Sequence, residues 1–285
     1  MYVAIAPRSP RLAPFVESLG YHESALPPGR DRVLPNGTMG LMINLEQDEL
    51  RTYHGPGATI VRRAPGAVLC GPDPRAVVID TEEQRRGLSV SFTIGGAAAL
   101  FALPFGETAG QLVGLSELWG RDGALLRERL LEASTPRRQL AVLEQVLLDH
   151  LLQGAGHYPD QAIGYAAAEL ERGRLVRHVR DDLGLLARTF TRRFEARTGL
   201  TPKRFARIRR LQRVVTAAGP ASSTGLLSGT WPGQEPRPTD WARLAADHGY
   251  CDQSHLIDDF RDIAGITPGA YRPRSAEERN HLPVT

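Results

Sequence analysis

Cysteine is scarce in this chain of 285 residues, with Cys70 and Cys251 the only two. Set far apart, they can form one bridge at most and cannot be a disulfide framework. Lysine is rarer still, Lys203 being the single example. Basic charge therefore rests almost wholly on arginine, a usage expected of a GC-rich genome. No run of 18 apolar residues occurs, so no membrane span is expected. Prolines and charges interrupt the first twenty residues and leave no apolar signal core. These absences point to a reducing cytoplasm. Chemical signatures are missing too. His22 and His54 belong to no H-x-H pair with a spaced acid. The glycines around Gly95 match neither a P-loop nor a dinucleotide fingerprint. No Ser-His-Asp or paired-carboxylate pattern stands out. Neither enzymatic activity nor a cofactor nor a metal is expected.

What is present is enough apolar content, 41%, for full cores, beside 24% charged residues. The length suits two domains. The net charge of +3 is unevenly spread. Residues 1–159 hold 15 basic and 17 acidic groups, whereas residues 172–213 hold 14 basic groups against three acids, a net of about +11. A phosphate-binding surface leaves such a footprint.

Within that basic stretch, Phe190 and Phe194 are one helical turn apart and share a face that can be buried. Arg188, Thr191 and Arg192 then fall on other faces. Val176, Val179 and Leu183 supply the apolar side of a preceding helix, and Gly184 marks a tight turn. Gly199 ends the second helix; Thr201 and Pro202 start a third as N-cap and N1. Phe205, Ile208, Leu211 and Val215 give that third helix one stripe. This is a helix-turn-helix whose second helix can enter a major groove, where Arg reads guanine. The pattern recurs. Gly199-Leu200-Thr201-Pro202 is echoed by Gly265-Ile266-Thr267-Pro268, and the Phe pair by Leu256 and Phe260.

The duplicated motif resembles the DNA-binding domain of AraC/XylS-type bacterial transcription regulators. The resemblance covers about residues 160–274 and is densest from Gly249-Tyr250-Cys251-Asp252-Gln253-Ser254-His255-Leu256 through Phe260 to Gly265–Arg272. It implies base contacts from Arg188, Thr191 and Arg192 in the first unit, and from Gln253, Ser254, His255 and Ile257 in the second. Lys203, Arg204 and Arg207 are the phosphate-contact candidates. Double-stranded DNA is the implied partner, with RNA polymerase a second candidate. The chain departs from the family pattern at three places. Leu186 stands where Ser or Thr usually caps the first recognition helix, a loss of about 1 kcal/mol. Arg180 replaces a small residue. Asp258 and Asp259 sit where a basic residue is common. Residues 240–274 carry six acids against four arginines, so the first unit is expected to supply most of the DNA affinity.

Upstream, Pro7, Pro10, Pro14, Pro27 and Pro28 disfavour long helices, and residues 1–30 read as irregular. Short strands follow at Gly40–Leu45, Leu50–Tyr53, Thr59–Arg62, Ala67–Leu69, Ala76–Ile79 and Leu88–Phe92. Turn chemistry such as Asn36-Gly37 and Gly71-Pro72-Asp73-Pro74 separates them. They suggest a small antiparallel barrel or double-sheet roll. Helices are expected at Gly96–Leu103, Leu125–Ala133 and Arg137–Leu152, the last capped by Thr135 with Pro136 at N1. Its stripe of Leu140, Leu143, Val146, Leu147 and Leu151 fits equally a cover for the barrel and a homodimer seam. Leu34-Pro35-Asn36-Gly37-Thr38, Val90–Phe92 before Gly95-Gly96-Ala97, and Leu118-Trp119 together resemble a cupin-like sensor domain, which implies a barrel able to hold a small effector.

The expected fold is α+β. Residues 1–152 form a cupin-like sensor and dimerisation domain, 153–160 a linker, 161–274 a double helix-turn-helix domain, and 275–285 a flexible tail. Residues 219–239 read as a flexible insertion between the two units. The function expected is a DNA-binding transcription regulator under effector or dimer control. The alternatives are a cupin-type enzyme fused to a degenerate DNA-binding module, and a protein-interaction module using Asp252, Asp258 and Asp259.

Overall fold

Closely spaced turn residues cut the described residues of the first 114 positions into ten short strands, too short and too interrupted for long helices. These are β1 (Tyr2–Ile5), β2 (Val16–Glu23), β3 (Arg30–Val33), β4 (Gly40–Asn44), β5 (Glu49–His54), β6 (Ile60–Pro65), β7 (Ala67–Cys70), β8 (Val77–Asp80), β9 (Arg86–Phe92) and β10 (Leu112–Gly114). The computed structural model describes residues 1–24, 28–154, 160–218 and 239–284. All six strands expected from alternation and turns are present, with ends within one to three residues of expectation. β1 and β2 correct the expectation of an irregular first thirty residues. Pro7, Pro10 and Pro14 fall in the loop joining those two strands, where proline removes no ladder hydrogen bond. Glu144 secures that loop by accepting from the amides of Arg8 and Ser9 at 2.6 and 2.8 Å.

The strands assemble into two antiparallel sheets rather than a closed barrel. One has the order β1-β2-β9-β4-β7-β10; the other includes β3-β8-β5-β6 and gains a strand from the C-terminus. A closed cupin-like barrel therefore does not form. The reason lies in how the apolar face is covered. Leu41, Ile43, Leu69, Leu88, Val90 and Phe92 of the six-stranded sheet pack against helices, in one core with Leu126, Leu130, Leu143 and Leu147. Those helices are α2 (Arg121–Glu132) and α3 (Pro136–Gln153), reached through the short α1 (Leu115–Trp119). Thr135 caps α3 by accepting from the Arg138 amide at 3.3 Å, as the Thr-Pro pair implies. Leu140, Leu143, Val146 and Leu147 are all buried within the chain, so that part of the stripe covers its own sheet and is not available as a dimer seam. The helix expected at Gly96–Leu103 is only a 3-10 turn, Gly96–Ala99.

The second half is helical: α4 (Gln161–Glu171), α5 (Val176–Asp182), α6 (Ala187–Thr198), α7 (Pro202–Ala218), α8 (Trp241–Asp247) and α9 (Gln253–Asp259), which runs on as a π-helical turn, Phe260–Ala264. They share a second core built on Phe190, Phe194, Phe205, Ile208, Leu211, Leu256 and Phe260. Most of the expected linker, residues 155–159, and residues 219–238 of the expected insertion lie outside the described residues.

The two halves interlock. The Asn36-Gly37 turn packs on α7, with Gly37 at φ 82° and a Cβ there only 3.4 Å from the Phe205 ring. Leu34, from the sheet half, is buried in the helical core. Where a flexible tail is expected, His281–Val284 forms β11, antiparallel to β3 at the edge of the five-stranded sheet. The strand is pinned by Asp31, buried at 2% exposure and held by the Arg274 guanidinium, with His281 Nδ1 at 3.6 Å. Gln212 of α7 adds hydrogen bonds to Pro35 O and Asn280 Oδ1 at 2.8 and 3.0 Å.

Burial pushes the Asp31 carboxyl up, but hydrogen bonds and charge from His281 and Arg274 outweigh it and hold the group below the ordinary carboxylate range. A native pKa below the unfolded value of about 3.9 stabilises the fold above that value, and the contribution is lost as pH falls through the native pKa. Removing Arg274 strands a buried carboxylate. Arg274→Ala should therefore lower unfolding free energy by about 3–5 kcal/mol in urea at pH 7, and by less in acid, where Asp31 protonates.

Candidate nucleic-acid interface

The first candidate unit is α5, a turn and α6. Phe190 and Phe194 pack edge to face at 5.9 Å between ring centroids, and Phe194 meets Phe205 of α7 at 5.5 Å. This aromatic run fixes α6 by its underside. Gly199 closes α6 at φ 76°, and a Cβ there would lie 2.8 Å from Pro72 Cγ of the sheet half, so the position favours glycine twice over. Thr201 Oγ1 accepts from the Arg204 amide at 3.2 Å and starts α7. Arg188 and Arg192 are exposed away from the Phe pair; Thr191 is half-buried. Neither arginine has an ion pair or hydrogen bond among the described residues.

Most neighbouring arginines are engaged. Arg172, Arg174, Arg180, Arg193, Arg204, Arg207, Arg209 and Arg210 each pair with a carboxylate. The acids are mainly Asp160, Glu169, Glu171, Asp259 and Asp262, which lie outside the basic stretch in sequence and fold back onto it. Of the phosphate-contact candidates, Lys203 is exposed. Arg204 instead reaches Asp262 at 2.6 Å and the Pro74 carbonyl; Arg207 reaches Asp259 at 2.7 Å and Asp262 at 2.8 Å. The five outside acids cut the charge of residues 172–213 from about +11 to about +6, and an exposed basic set remains that includes Arg177, Arg188, Arg192 and Lys203.

In the second unit Asp252 caps α9 by accepting from the His255 amide at 2.8 Å. Gln253 and Ser254 are exposed at its start. His255 turns inward: its Nε2 lies 3.1 Å from Arg210 Nη2, and its ring meets Tyr250 edge-on at 5.1 Å. Asp259, which looked like an acid on a DNA-facing helix, is 1% exposed and holds Arg207 and Arg210 at 2.7 and 2.8 Å. The inward turn of His255 and Asp259 is invisible to motif spacing. Helical offset could have hinted at it, because Asp259 follows buried Leu256 by three positions.

A cavity of about 270 Å³ lies in the sheet half, lined by Thr52, His54, Arg62, Asp73, Val77 and Gln111 among others. Burial pushes the Asp73 carboxyl up to about 6, with the charge of Arg62 opposing. His54 Nε2 lies 2.8 Å from Thr52 Oγ1. Nearby Cys70 has its thiol pushed up to about 12 by burial and by the Asp73 charge, so it is held as the unreactive thiol. Among the described residues, no three His, Cys, Asp or Glu side chains converge as a metal site, and no helix is long and apolar enough to cross a membrane.

Comparison with known proteins adds the following. Residues 4–114, the ten-stranded part, match a family model described as a domain of unknown function (DUF6597). No curated protein matches. Among solved structures, ToxT from Vibrio cholerae O395 aligns with a TM-score of 0.43 at 10% identity, over 89% of this chain and 96% of that one. The same protein bound to (E)-4-(8-methylnaphthalen-1-yl)but-3-enoic acid gives 0.44 at 9%, over 89% and 97%. An unsaturated fatty acid-bound ToxT gives 0.40 at 7%, over 94% and 93%. Function has to be read from the chain's own geometry.

The uncapped start of α6 gives a direct test of local energetics. Leu186 occupies the N-cap with no side-chain hydrogen bond and is 79% exposed. Leu186→Ser should raise stability by about 1 kcal/mol in urea unfolding. Conversely, Asp259→Ala leaves two guanidinium groups without their shared acid and should cost about 3 kcal/mol by the same measurement.

Proposed function

We propose that the chain is a sequence-specific regulator of transcription that binds double-stranded DNA through its helical half. One observation carries this reading: Arg188 and Arg192 stand exposed and unpaired among the described residues, on a helix anchored by buried phenylalanines, while eight arginines around them are paired with acids. Two guanidinium forks on one exposed helix face suit guanine edges in a major groove. Lys203 supplies a phosphate contact. Gln253 and Ser254 supply a weaker second contact, and His255 acts chiefly by bracing Arg210. The sheet half, with its polar cavity, serves as the effector-responsive part.

A duplex selected from a random-sequence library, followed by mobility-shift titration, tests this. Arg192→Ala should lose about tenfold or more in affinity, and His255→Ala less. Lys203→Ala should flatten the log–log salt dependence by about 0.9, whereas Arg207→Ala should leave that slope unchanged and lower stability instead. Absence of binding at low salt, or a larger loss from His255→Ala, overturns the assignment.

A further inference from the structure

The loop from β7 to β8 touches the cavity and the helical half in alternation. Asp73 and Val77 line the cavity. Between them, the Pro74 carbonyl accepts from Arg204 of α7. Arg75 donates to Asp262 Oδ1 at 2.9 Å and to the Asp262 carbonyl at 3.2 Å. The Ala76 amide donates to the Ile263 carbonyl at 2.7 Å. Asp262 in turn holds Arg204 and Arg207 at 2.6 and 2.8 Å. β8 also pairs with β3, whose Arg32 donates to Ala264 O at 3.3 Å. Three consecutive residues of the sheet half therefore grip α7 and the π-helical turn after α9, flanked on both sides by cavity wall.

The cavity has an unmet chemical demand. Asp73 makes no hydrogen bond or ion pair among the described residues. Arg62 across from it donates instead to Gly110 O at 3.1 Å, and His54 is engaged with Thr52. Asp73 is half-buried and faces the cavity without a donor among the described residues, and a cationic N–H donor is the strongest complement to its carboxylate. Arg63 also lines the cavity, and Gln111 with the remaining donors of Arg62 can take acceptors on the far end of such a ligand. A volume of about 270 Å³ sits just under the range for drug-sized ligands.

We propose that this cavity binds a small primary amine through Asp73, and that occupancy is passed to the helical half by residues 74–76. Its regulatory meaning rests on the DNA-binding reading; the amine site itself does not. Wild-type protein is titrated calorimetrically with ethanolamine, 1,4-diaminobutane and tyramine, each beside its alcohol or hydroxyl counterpart. At least one amine binds, its counterpart does not, and Asp73→Asn weakens binding tenfold or more, as does Val77→Phe, which fills the space. No binding by any amine, or equal binding by Asp73→Asn, overturns the site. Hydrogen exchange then reads the relay. The bound amine changes exchange at Ala76 and residues 260–264, and Arg75→Ala binds the amine as before but halves the change at 260–264. An identical change in Arg75→Ala overturns the relay. Amine binding with no DNA binding at any salt sinks the regulator reading and leaves the Asp73 site standing.

Discussion

Two carboxylates, Asp259 and Asp262, hold the helical half in shape. Between them they bind Arg204, Arg207 and Arg210 of α7 and Arg75 of the sheet half. Asp259 is almost fully buried, so its two guanidinium partners are obligatory: a buried charge is tolerated only when it is paired and hydrogen-bonded. Asp262 is partly open. Burial pushes its carboxyl up, yet hydrogen bonds from Arg204 and Arg75 and the charges of Arg204 and Arg207 outweigh this and bring it down to about 2. α7 is thereby locked against the second unit on one side and the loop 72–77 on another.

This lock decides which positive charge faces outward. A helix bristling with arginine looks like a phosphate-binding rod, but most of its guanidinium groups are the counter-charges of acids contributed by other elements. Arg177, Arg188, Arg192 and Lys203 are left exposed without a carboxylate partner among the described residues. In the regulator reading proposed above, a few groups on an aromatic footing would favour recognition of base edges over diffuse attraction to the backbone. The second unit follows the same logic with less exposed polarity: Gln253 and Ser254 face out, and His255 is folded into the Arg210–Tyr250 contact.

Much of the local structure was legible because it depends on neighbours in sequence. The Thr135-Pro136 start of α3, the Phe190/Phe194 spacing, the Gly199 stop and the missing cap at Leu186 all act within one or two turns of chain. The six strands between Gly40 and Phe92 follow from alternation and turn residues. β1, β2, β3, β10 and β11 were not legible. Their prolines, charges and short length mask alternation, and they become strands only because a partner strand supplies the hydrogen bonds. The inward turn of Arg204, Arg207 and His255 was equally hidden, since a helix sequence shows which residues share a face and not what the face meets.

By itself, the sequence determined the places of α3, α6, α7 and the six strands between Gly40 and Phe92, that the chain has a strand-rich half and a helical half, and which side of α6 must be buried. These follow from backbone chemistry and period. Only tertiary structure decided that two open sheets replace a barrel, that the last residues return as β11, that the arginine row of α7 is spent on Asp259 and Asp262, and that a cavity wall runs straight into the grip on the helical half. Each of these depends on groups distant in sequence meeting in space, where burial and charge pairing select partners that no local pattern encodes.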